Sequence, residues 1–459
     1  MKDNTYDIII IGSGAIGSLS AYKLLKSDKK LRILIISQDS KSGSKAAGAM
    51  HAVFGEIEKN YPDSLLEQRF LQLGISSRKQ FIKFFKENGG VNNFINSKNT
   101  AVYLNNSKNF FEKENYNMMK KVIKKFNYDK KDKELFHNLS NNNVNEHIII
   151  DGEFAFNPIK FLTSVNNIIK KNISSVNSIC KRVFFNNKDL LTVITSNNQK
   201  YFASKIIYAG GSYGVDDIFS KYIKNHLYFG VGTAILLKGP SHYLDKSKMC
   251  IRTVNRGGSQ CGLHVVPYGD GRYYVGAGNY LTDNFLDGHR ATTLNYLLNL
   301  AKSDIFGEQF MHYAQCKLLL GMRSKSLDGH PMLGPFNDNK RIILASGFNR
   351  VGLTLSFEIA DIITDYIFEN KVDSFYQNWL PDRDPISYES LESAANFYAS
   401  SRTANLLEHK IIQPKSSIIN KKYKELFDLS LKLNKSIVKK HKLDKDFVLH
   451  PDTYNLFLK

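Results

Sequence analysis

The sequence predicts a protein of the α/β class, and three observations support this. An isoleucine-rich run at residues 6–11 leads into a glycine-rich loop and then a helical pattern. Residues 225–280 are rich in short alternating strands, and a second strand, glycine loop and helix follow at 341–370. The first and last patterns are typical of a Rossmann-type domain, and the middle one of an antiparallel sheet. We therefore expect an α/β Rossmann-type domain interleaved with an α+β domain, followed by a helical C-terminal extension.

The length and composition favour a globular protein of two to three domains. The 459 residues are 42% hydrophobic and 12% aromatic, as in folded proteins and unlike disordered ones. No run of about 18 uncharged apolar residues occurs, so we predict no transmembrane segment. The charged start at Lys2, Asp3 and Asp7 is unlike a secretory signal. The four cysteines include no Cys-x-x-Cys pair, which argues against a zinc site or disulfides and favours a cytoplasmic protein.

The net charge of +20 leaves the choice of partner open. The excess is mostly lysine, and it accompanies asparagine-rich runs such as residues 139–147 (LSNNNVNEH). We interpret these lysines as solvated surface charge. Binding of a nucleic acid is the less favoured alternative, and heparin retention with its salt dependence tests it. The sequence contains no metal-ligand cluster, so we expect no metal.

The predicted elements follow the order of this interleaved fold. Asp270 and Gly271 favour a tight hairpin, because both residue types tolerate positive φ. A lysine-rich segment at 423–440 is amphipathic and is predicted to be helical. We predict strands at 6–11, 31–37, 175–184, 189–196 and 205–211, and helices at 15–27, 64–89, 115–126, 158–171, 291–303 and 353–368.

The glycine-rich loop predicts a dinucleotide site. Gly12, Gly14 and Gly17 form a Gly-x-Gly-x-x-Gly pattern between the first strand and the first helix. The first glycine permits the tight turn, the second admits the pyrophosphate, and the third lets the helix pack on the strand. The helix start at Ala15 and Ile16 then directs its amides at the phosphates.

The end of the second strand departs from the usual pattern. A carboxylate there normally binds the adenosine ribose hydroxyls. Ser37 and Gln38 occupy this place instead, with Asp39 following. Ser37 offers a single hydrogen bond, so the affinity is lower or Asp39 reaches back to the ribose.

Five further motifs point to a known family. They are SKAAGAMHA (44–52), GEFAFNP (152–158), IIYAGGSYG (206–214), LLGMRSKSLDGHPMLGP (319–335) and LASGFNRVGLTLS (344–356). In order and spacing, over roughly residues 5–370, the chain resembles the D-amino-acid oxidase-like FAD-dependent oxidoreductases, which include the glycine and sarcosine oxidases. We accordingly divide the chain into an FAD-binding domain (1–60, 147–220 and 320–370), a substrate domain (61–146 and 221–319) and a helical C-terminal extension (371–459).

The resemblance implies FAD as the cofactor. The sarcosine-oxidase branch attaches its flavin to a cysteine near the position of Gly321, and this chain has no cysteine there. We therefore expect non-covalent FAD and interpret Cys316, five residues earlier, as a core residue. The expected FAD contacts are Gly12, Gly14, Ala15, Ile16, Gly17, Ser37, Gln38, Ser44, Ala46, Ala47, Gly48, Met50, Ala209, Gly210, Gly211, Arg323, Gly347, Asn349, Arg350, Val351, Gly352, Leu353 and Thr354.

Two arginines and a histidine are the expected catalytic residues. Arg323 matches the arginine that binds the substrate carboxylate in the family, and Arg350 matches a second active-site arginine of glycine oxidases. Arginine is scarce in this chain, and its planar fork suits a carboxylate. For either residue the alternative is a structural ion pair. His264 stands where sarcosine oxidases have a lysine that promotes reaction with oxygen, so the acceptor is oxygen or another carrier. A packed core histidine is its alternative.

Other residues receive weaker functional interpretations. His51 follows the predicted flavin-side loop and is a candidate ring contact. Tyr268, Tyr273 and Tyr274 either line the substrate pocket or pack across strands. Trp379 is expected to anchor the C-terminal extension.

The resemblance implies oxidation of an amine to an imine. The expected substrate is a small amino acid or N-substituted amino acid, whose C–N bond is oxidised by hydride transfer to flavin N5. Two alternatives remain: an FAD-dependent tRNA-modification enzyme that removes a carboxymethyl group, and a flavin-binding protein without turnover.

Overall fold

The structure is a computed structural model that describes residues 4–38, 42–105, 110–130, 144–185, 190–255, 262–284, 288–408, 411–440 and 443–457. These residues form two eight-stranded sheets, a two-stranded sheet and helices that cover them. Within the described ranges, no helix is both long and apolar enough to cross a membrane.

Eighteen strands run along the described chain. They are β1 Thr5–Ile11, β2 Ile33–Ser37, β3 Ile95–Ser97, β4 Asn99–Asn105, β5 Asp129–Lys130, β6 Val144–Ile150, β7 Ala155–Phe156, β8 Ile173–Asn177, β9 Cys180–Phe184, β10 Leu191–Thr195, β11 Lys200–Tyr208, β12 Leu227–Lys238, β13 Met249–Thr253, β14 His264–Gly269, β15 Arg272–Thr282, β16 Ala314–Ser326, β17 Met332–Pro335 and β18 Ile342–Ser346.

The α-helices of the described residues are α1 Ala15–Ser27, α2 Gly43–Ala46, α3 Leu65–Glu87, α4 Val91–Phe94, α5 Phe110–Lys125, α6 Pro158–Ile169, α7 Val215–Phe219, α8 Tyr243–Ser247, α9 Ala291–Leu300, α10 Ser356–Ile367, α11 Leu391–Glu408 and α12 Ser416–Lys440. Short 3₁₀ turns occur at Phe54–Glu56, Gly307–His312, Ser374–Trp379 and Pro451–Phe457, and a π-helical turn at Ala301–Phe306.

The first sheet is the predicted Rossmann-type sheet. Its strands follow the order β17-β18-β11-β1-β2-β8, and β9 and β10 extend β11 as an antiparallel meander. The five strands from β18 to β8 are parallel. Ile8 and Ile10 face the core on the α1 and α10 side, whereas Ile9 and Ile11 face the core on the opposite side. Burial of both faces explains why β1 is an uninterrupted apolar run.

The second sheet is almost entirely antiparallel. Its order is β16-β12-β15-β14-β13-β4-β6-β5, and only the β13–β4 pair is parallel. The predicted hairpin joins β14 to β15, with φ of 54° at Asp270 and 65° at Gly271. Helix α9 and the π-helical turn pack on this sheet. Residues 144–150 and 314–326 belong to this sheet, although the predicted FAD-binding domain includes residues 147–150 and 320–326. The division of the chain into domains stays a prediction.

Several predicted boundaries differ from the structure. Helix α10 begins at Ser356 and not at residue 353, because residues 350–355 form turns that carry the chain away from β18. The strand predicted at 175–184 is two strands, β8 and β9, which run in different pairings. Helix α5 begins at Phe110, earlier than predicted.

The C-terminal extension is packed firmly on the rest of the chain. Trp379 is fully buried in the core beside α10, which agrees with its predicted anchoring role. Arg383 Nη1 lies 2.5 Å from the buried Asp328 carboxylate, and Asp452 lies 3.4 Å from Lys325 Nζ on β16.

The interpretation of Cys316 as a core residue is wrong. Its side chain lies in the first part of β16, where four consecutive residues are exposed. This part of the strand runs along the edge of the second sheet, away from the core.

Candidate active site

The three N-terminal glycines occupy positions with different steric demands. Gly12 has φ of 104°, and a Cβ there would lie 2.5 Å from the Ala209 carbonyl oxygen. A Cβ on Gly17 would lie 2.0 Å from the Gly12 carbonyl oxygen, closer than any real contact. Gly14 has an ordinary negative φ, and its nearest neighbour would be Ser44 Oγ at 3.4 Å. The fold therefore requires a glycine at Gly12 and at Gly17. The fold would accept a Cβ at Gly14, so a glycine is needed there only to leave room for a bound group.

The start of α1 presents backbone amides beside this loop. Gly14 is the N-cap residue and provides no side-chain cap. The Ala15 amide donates to Ser44 Oγ at 3.2 Å, so Ser44 lies beside the glycine loop, and its FAD contact stays a prediction. Amides in the first turn of a helix have no partner within the helix and favour anions.

Two neighbouring segments border the same edge of the sheet. Ser37 ends β2, and its carbonyl accepts a hydrogen bond from the Ser178 amide at 3.1 Å. Gln38 is exposed, and Asp39 lies outside the described residues. Ala209, Gly210 and Gly211 form the turn after β11, where Ser346 Oγ donates to the Gly211 carbonyl.

The segment from Gly43 to Met50 passes between the two large sheets, which explains its small residues. A Cβ on Gly43 would lie 2.6 Å from the Met322 carbonyl oxygen, and one on Gly321 would lie 3.0 Å from Ala46 Cβ. A Cβ on Gly48 would lie 2.8 Å from the Tyr274 ring.

Tyr274 links the segment from Gly43 to Met50 to the second sheet through a hydrogen bond. Its hydroxyl donates to the Ala46 carbonyl at 3.2 Å. Its neighbours have other roles: Tyr273 is a core residue, and Tyr268 stacks on Tyr274 with 6.2 Å between ring centroids.

A cavity of about 130 Å³ lies where this segment meets the second sheet. Five adjacent strands contribute to its floor: β16, β12, β15, β14 and β13. Its lining includes many of the predicted residues, namely Ala46, Ala47, Gly48, Met50, His264, Arg323, Arg350, Val351, Leu353 and Thr354, together with Gly43, Ala49, Ala52, Glu56, Gly232, Arg252, Tyr274 and Gly321. The other predicted residues do not line it: Gly12, Gly14, Ala15, Ile16, Gly17, Ser37, Gln38, Ser44, Ala209, Gly210, Gly211, Gly347, Asn349 and Gly352.

Arg323 projects from β16 at one edge of this floor, and its side chain lies over the neighbouring strand β12. Gly232 of β12 pairs with Gly321, two residues before Arg323. A Cβ on Gly232 would lie 3.1 Å from Arg323 Nη2, so the glycine provides room for the guanidinium.

Arg350 forms the ion pair considered as its structural alternative and also lines the cavity. Its Nη2 atom lies 2.8 Å from Glu56 Oε2, while Arg252 Nη1 lies 2.6 Å from Glu56 Oε1. Burial alone would raise the pKa of Glu56, but the two guanidinium groups lower this pKa to about 2. Glu56 is therefore ionised at neutral pH and links the two arginines.

Sequence reasoning missed Arg252 and Glu56. Arg252 is 1% exposed, although it stands in the apolar strand segment MCIRTV. The criterion that selected Arg323, an arginine within an apolar segment, would have found it. Glu56 carried no comparable signal, because only the fold brings it between two arginines.

His264 is a half-buried neutral base at the same end of the cavity. Burial, reinforced by the nearby Arg252, lowers its pKa to about 3. Its Nδ1 atom lies 2.9 Å from the Gly262 carbonyl oxygen. His264 therefore lines the cavity, and its role beside the flavin stays a prediction.

His51 has a packing role. Its ring stacks on Phe154 with 5.0 Å between centroids and meets Phe81 edge-on. It is not among the described residues that line the cavity, and its contact with the flavin ring stays a prediction.

The loop after β18 is held against β16 by two hydrogen bonds that its backbone amides donate to Ser324. Gly347, with φ of 79°, donates to Ser324 Oγ at 2.9 Å, and the Asn349 amide donates to the Ser324 carbonyl at 2.7 Å. The Asn349 Oδ1 atom is buried and has no hydrogen-bond partner among the described residues. This loop places residues 350–354 on the cavity wall.

Comparisons with known proteins agree with this architecture. The family described as FAD dependent oxidoreductase matches residues 7–366. Glycine oxidase of Bacillus licheniformis is 32% identical over 113 residues, which are 24% of this chain and 29% of that protein. The matched part thus spans less than a third of the length of this relative.

Solved structures share the fold at low sequence identity. The glycine oxidase of Geobacillus kaustophilus has a TM-score of 0.70 at 15% identity, covering 83% of this chain and 99% of that one. The glycine oxidase of Bacillus cereus has a TM-score of 0.68 at 18% identity, covering 83% and 100%. The iminodiacetate oxidase of a Chelativorans species has a TM-score of 0.67 at 16% identity, with the same coverage.

Proposed function

Because the chain belongs to the family of FAD-dependent oxidoreductases, we propose that it oxidises the C–N bond of a small amino acid or N-substituted amino acid to an imine. The observation that carries this proposal is Arg323, a guanidinium on the floor of a small cavity walled by the two glycine-rich segments. A planar guanidinium suits the bidentate binding of a carboxylate.

The residues of the first sheet fit FAD. Gly14 leaves space at the loop, and the amides at the start of α1 suit the pyrophosphate. Ser37 and Gln38, at the end of β2, are the proposed contacts of the adenosine ribose. The segments 46–50 and 347–354 would contact the isoalloxazine ring, and the buried Asn349 Oδ1 could accept a hydrogen bond from it.

We also propose that the FAD is bound without a covalent link. Gly321 stands at the position of the attaching cysteine, and Cys316 is on the exposed part of β16. Acid denaturation should release all of the flavin, and flavin that stays on the denatured chain in a gel would contradict this.

The proposed roles of the chain's own residues are mainly binding and orientation. Arg323 would hold the substrate carboxylate and so direct the Cα–H bond. When bound, the flavin supplies the acceptor at N5 for the hydride that leaves Cα. The nitrogen lone pair would form the C=N bond as the hydride leaves, and the resulting iminium would release a proton to water to give the imine, which water hydrolyses. His264 is neutral and Glu56 ionised at neutral pH, so neither donates a proton to the reaction.

An anaerobic reduction experiment tests this function. The purified flavoprotein should lose its flavin absorbance when mixed with members of a panel of glycine, sarcosine, D-amino acids and imino acids. Admitting oxygen or a quinone afterwards identifies the electron acceptor. If no member of the panel bleaches the flavin, the proposed amine oxidation is wrong.

A further inference from the structure

The floor of the cavity carries guanidinium groups at both edges. Arg323 projects from β16, and Arg252 projects from β13, at opposite ends of five adjacent strands. With about 4.8 Å between neighbouring strands, these two strands lie roughly 19 Å apart along the sheet. Gly232 and Tyr274 lie between them on the floor. The cavity thus has two cationic ends separated by its length.

The end away from Arg323 is built around one carboxylate and two guanidinium groups. Glu56 accepts from Arg252 through Oε1 and contacts Arg350 through Oε2. A guanidinium has five N–H donors in a planar fork. A single carboxylate that bridges two such groups fixes their orientation and leaves the unit with a net positive charge.

The carboxyl groups behind this unit cancel its charge only in part, because two of them have raised pKa values. Burial raises the pKa of Glu153 to about 7, although Arg252 and three backbone amides oppose the rise. Burial and nearby carboxylates also raise the pKa of Glu58, whose Oε1 atom lies 4.0 Å from Arg350. Asp452 is ionised, but it is paired with Lys325. A buried excess of positive charge is costly unless an anion balances it.

We propose that the substrate carries a second anionic group, as in an amino- or iminodicarboxylate. Arg323 holds the carboxylate next to the reacting C–N bond, and the Arg252–Glu56–Arg350 unit holds the distal one. This inference rests on the proposed amine oxidation, because it assigns the substrate class of the same site.

The first test uses the unmodified flavoprotein and compares substrates that differ in one carboxylate. Iminodiacetate and D-aspartate are compared with sarcosine and D-alanine in anaerobic flavin reduction. The dicarboxylates should reduce the flavin with at least about a tenfold higher ratio of rate constant to Kd. If sarcosine or D-alanine reduces the flavin as efficiently, the inference fails while the proposed function stands. If none of the four reduces it but another member of the wider panel does, the inference fails, and if no member of that panel does, the proposed function itself fails.

A binding measurement tests the same idea without turnover. Malonate and succinate should perturb the flavin spectrum at concentrations at least about tenfold lower than acetate does. Equal affinity for the mono- and dicarboxylates would overturn the inference.

Variants locate the second anion site. Arg252→Gln and, separately, Arg350→Lys should lower the preference for iminodiacetate over sarcosine, whereas Glu56→Gln should raise it by removing a competing negative charge. Arg272→Gln on the half-exposed hairpin is the matched control and should leave the preference unchanged. Because Arg252 is buried, Arg350→Lys keeps the test available if Arg252→Gln does not fold. A preference that stays constant in the folded variants would overturn the assignment.

Discussion

Arg323 is the single residue on which the proposed function depends most. Arg323→Lys should keep the charge but lose the bidentate geometry, and Arg323→Ala should lose both. Removing one partner of a desolvated charged pair costs about 2–5 kcal/mol, or roughly 30- to 4000-fold in kcat/KM. Anaerobic flavin-reduction kinetics, flavin content and Tm should be measured together, because only the first should change substantially.

The control for this prediction is Arg272→Ala, at the tip of the β14–β15 hairpin. It also removes an arginine from the second sheet, but from a half-exposed position. A stable, flavin-loaded Arg323→Ala that reduces at the parent rate would remove the case for carboxylate binding. A variant that loses Tm and flavin together would instead indicate a structural ion pair.

His51 provides a prediction about the pH dependence of stability. Burial lowers its pKa to about 3 in the folded protein, against 6.5 for an ordinary histidine. Between these two pH values the unfolded chain binds a proton that the folded chain does not, so this histidine lowers the free energy of unfolding as pH falls. The contribution approaches 1.4 kcal/mol per pH unit below about 6.

His51→Leu removes this titratable group, so the variant no longer takes up this proton when it unfolds. Urea unfolding at pH 7 and pH 5 should show a smaller loss of stability on acidification in the variant than in the parent protein. An identical loss in both proteins would mean that His51 titrates normally. The comparison with the parent is essential, because buried carboxyl groups such as Glu153, whose pKa is raised to about 7, act in the opposite direction.

At the scale of the element, two substitutions in the glycine loop between β1 and α1 should affect different properties, one cofactor binding and the other folding. Gly14→Val should fold, because a Cβ at Gly14 meets only Ser44 Oγ at 3.4 Å, but the side chain should block the pyrophosphate and abolish FAD binding. Gly17→Val should fail to fold, because its Cβ would lie 2.0 Å from a backbone oxygen. Circular dichroism and flavin absorbance distinguish the two outcomes. A Gly14→Val protein with stoichiometric FAD would show that the loop does not bind the pyrophosphate.

For the whole molecule, the C-terminal extension decides whether the oxidoreductase fold is stable. The resemblance to the family ends near residue 370, which suggests that the remainder could be deleted. The structure indicates the opposite, because truncation after residue 372 removes Trp379 from the core and takes Arg383 from the buried Asp328. Breaking a buried ion pair costs about 3–5 kcal/mol.

A chain that ends at residue 372 should therefore be insoluble or lack a cooperative unfolding transition. The milder variant Trp379→Ala should lose about 3–5 kcal/mol of stability while it retains FAD at low temperature. Lys435→Ala in α12 serves as the control on an exposed site of the extension. A soluble, flavin-loaded truncation would show that the first 372 residues fold independently.

Local patterns in the sequence determined the glycine loop, α1, the hairpin at residues 270–271 and the alternating strands. Such features depend on neighbours a few residues apart, so steric and periodic rules suffice to predict them. The order of the motifs was enough to propose Arg323, His264 and the segment 46–50, because the motifs lie where the chain enters and leaves the cavity.

The other features of the site depend on the tertiary structure. Glu56 and Arg252 are separated by almost 200 residues, and only the packing of the segment 43–56 on five strands joins them. Cys316 is exposed because β16 extends beyond the core along a sheet edge. Pairings of this kind are set by burial and charge balance between distant segments, which no local pattern encodes.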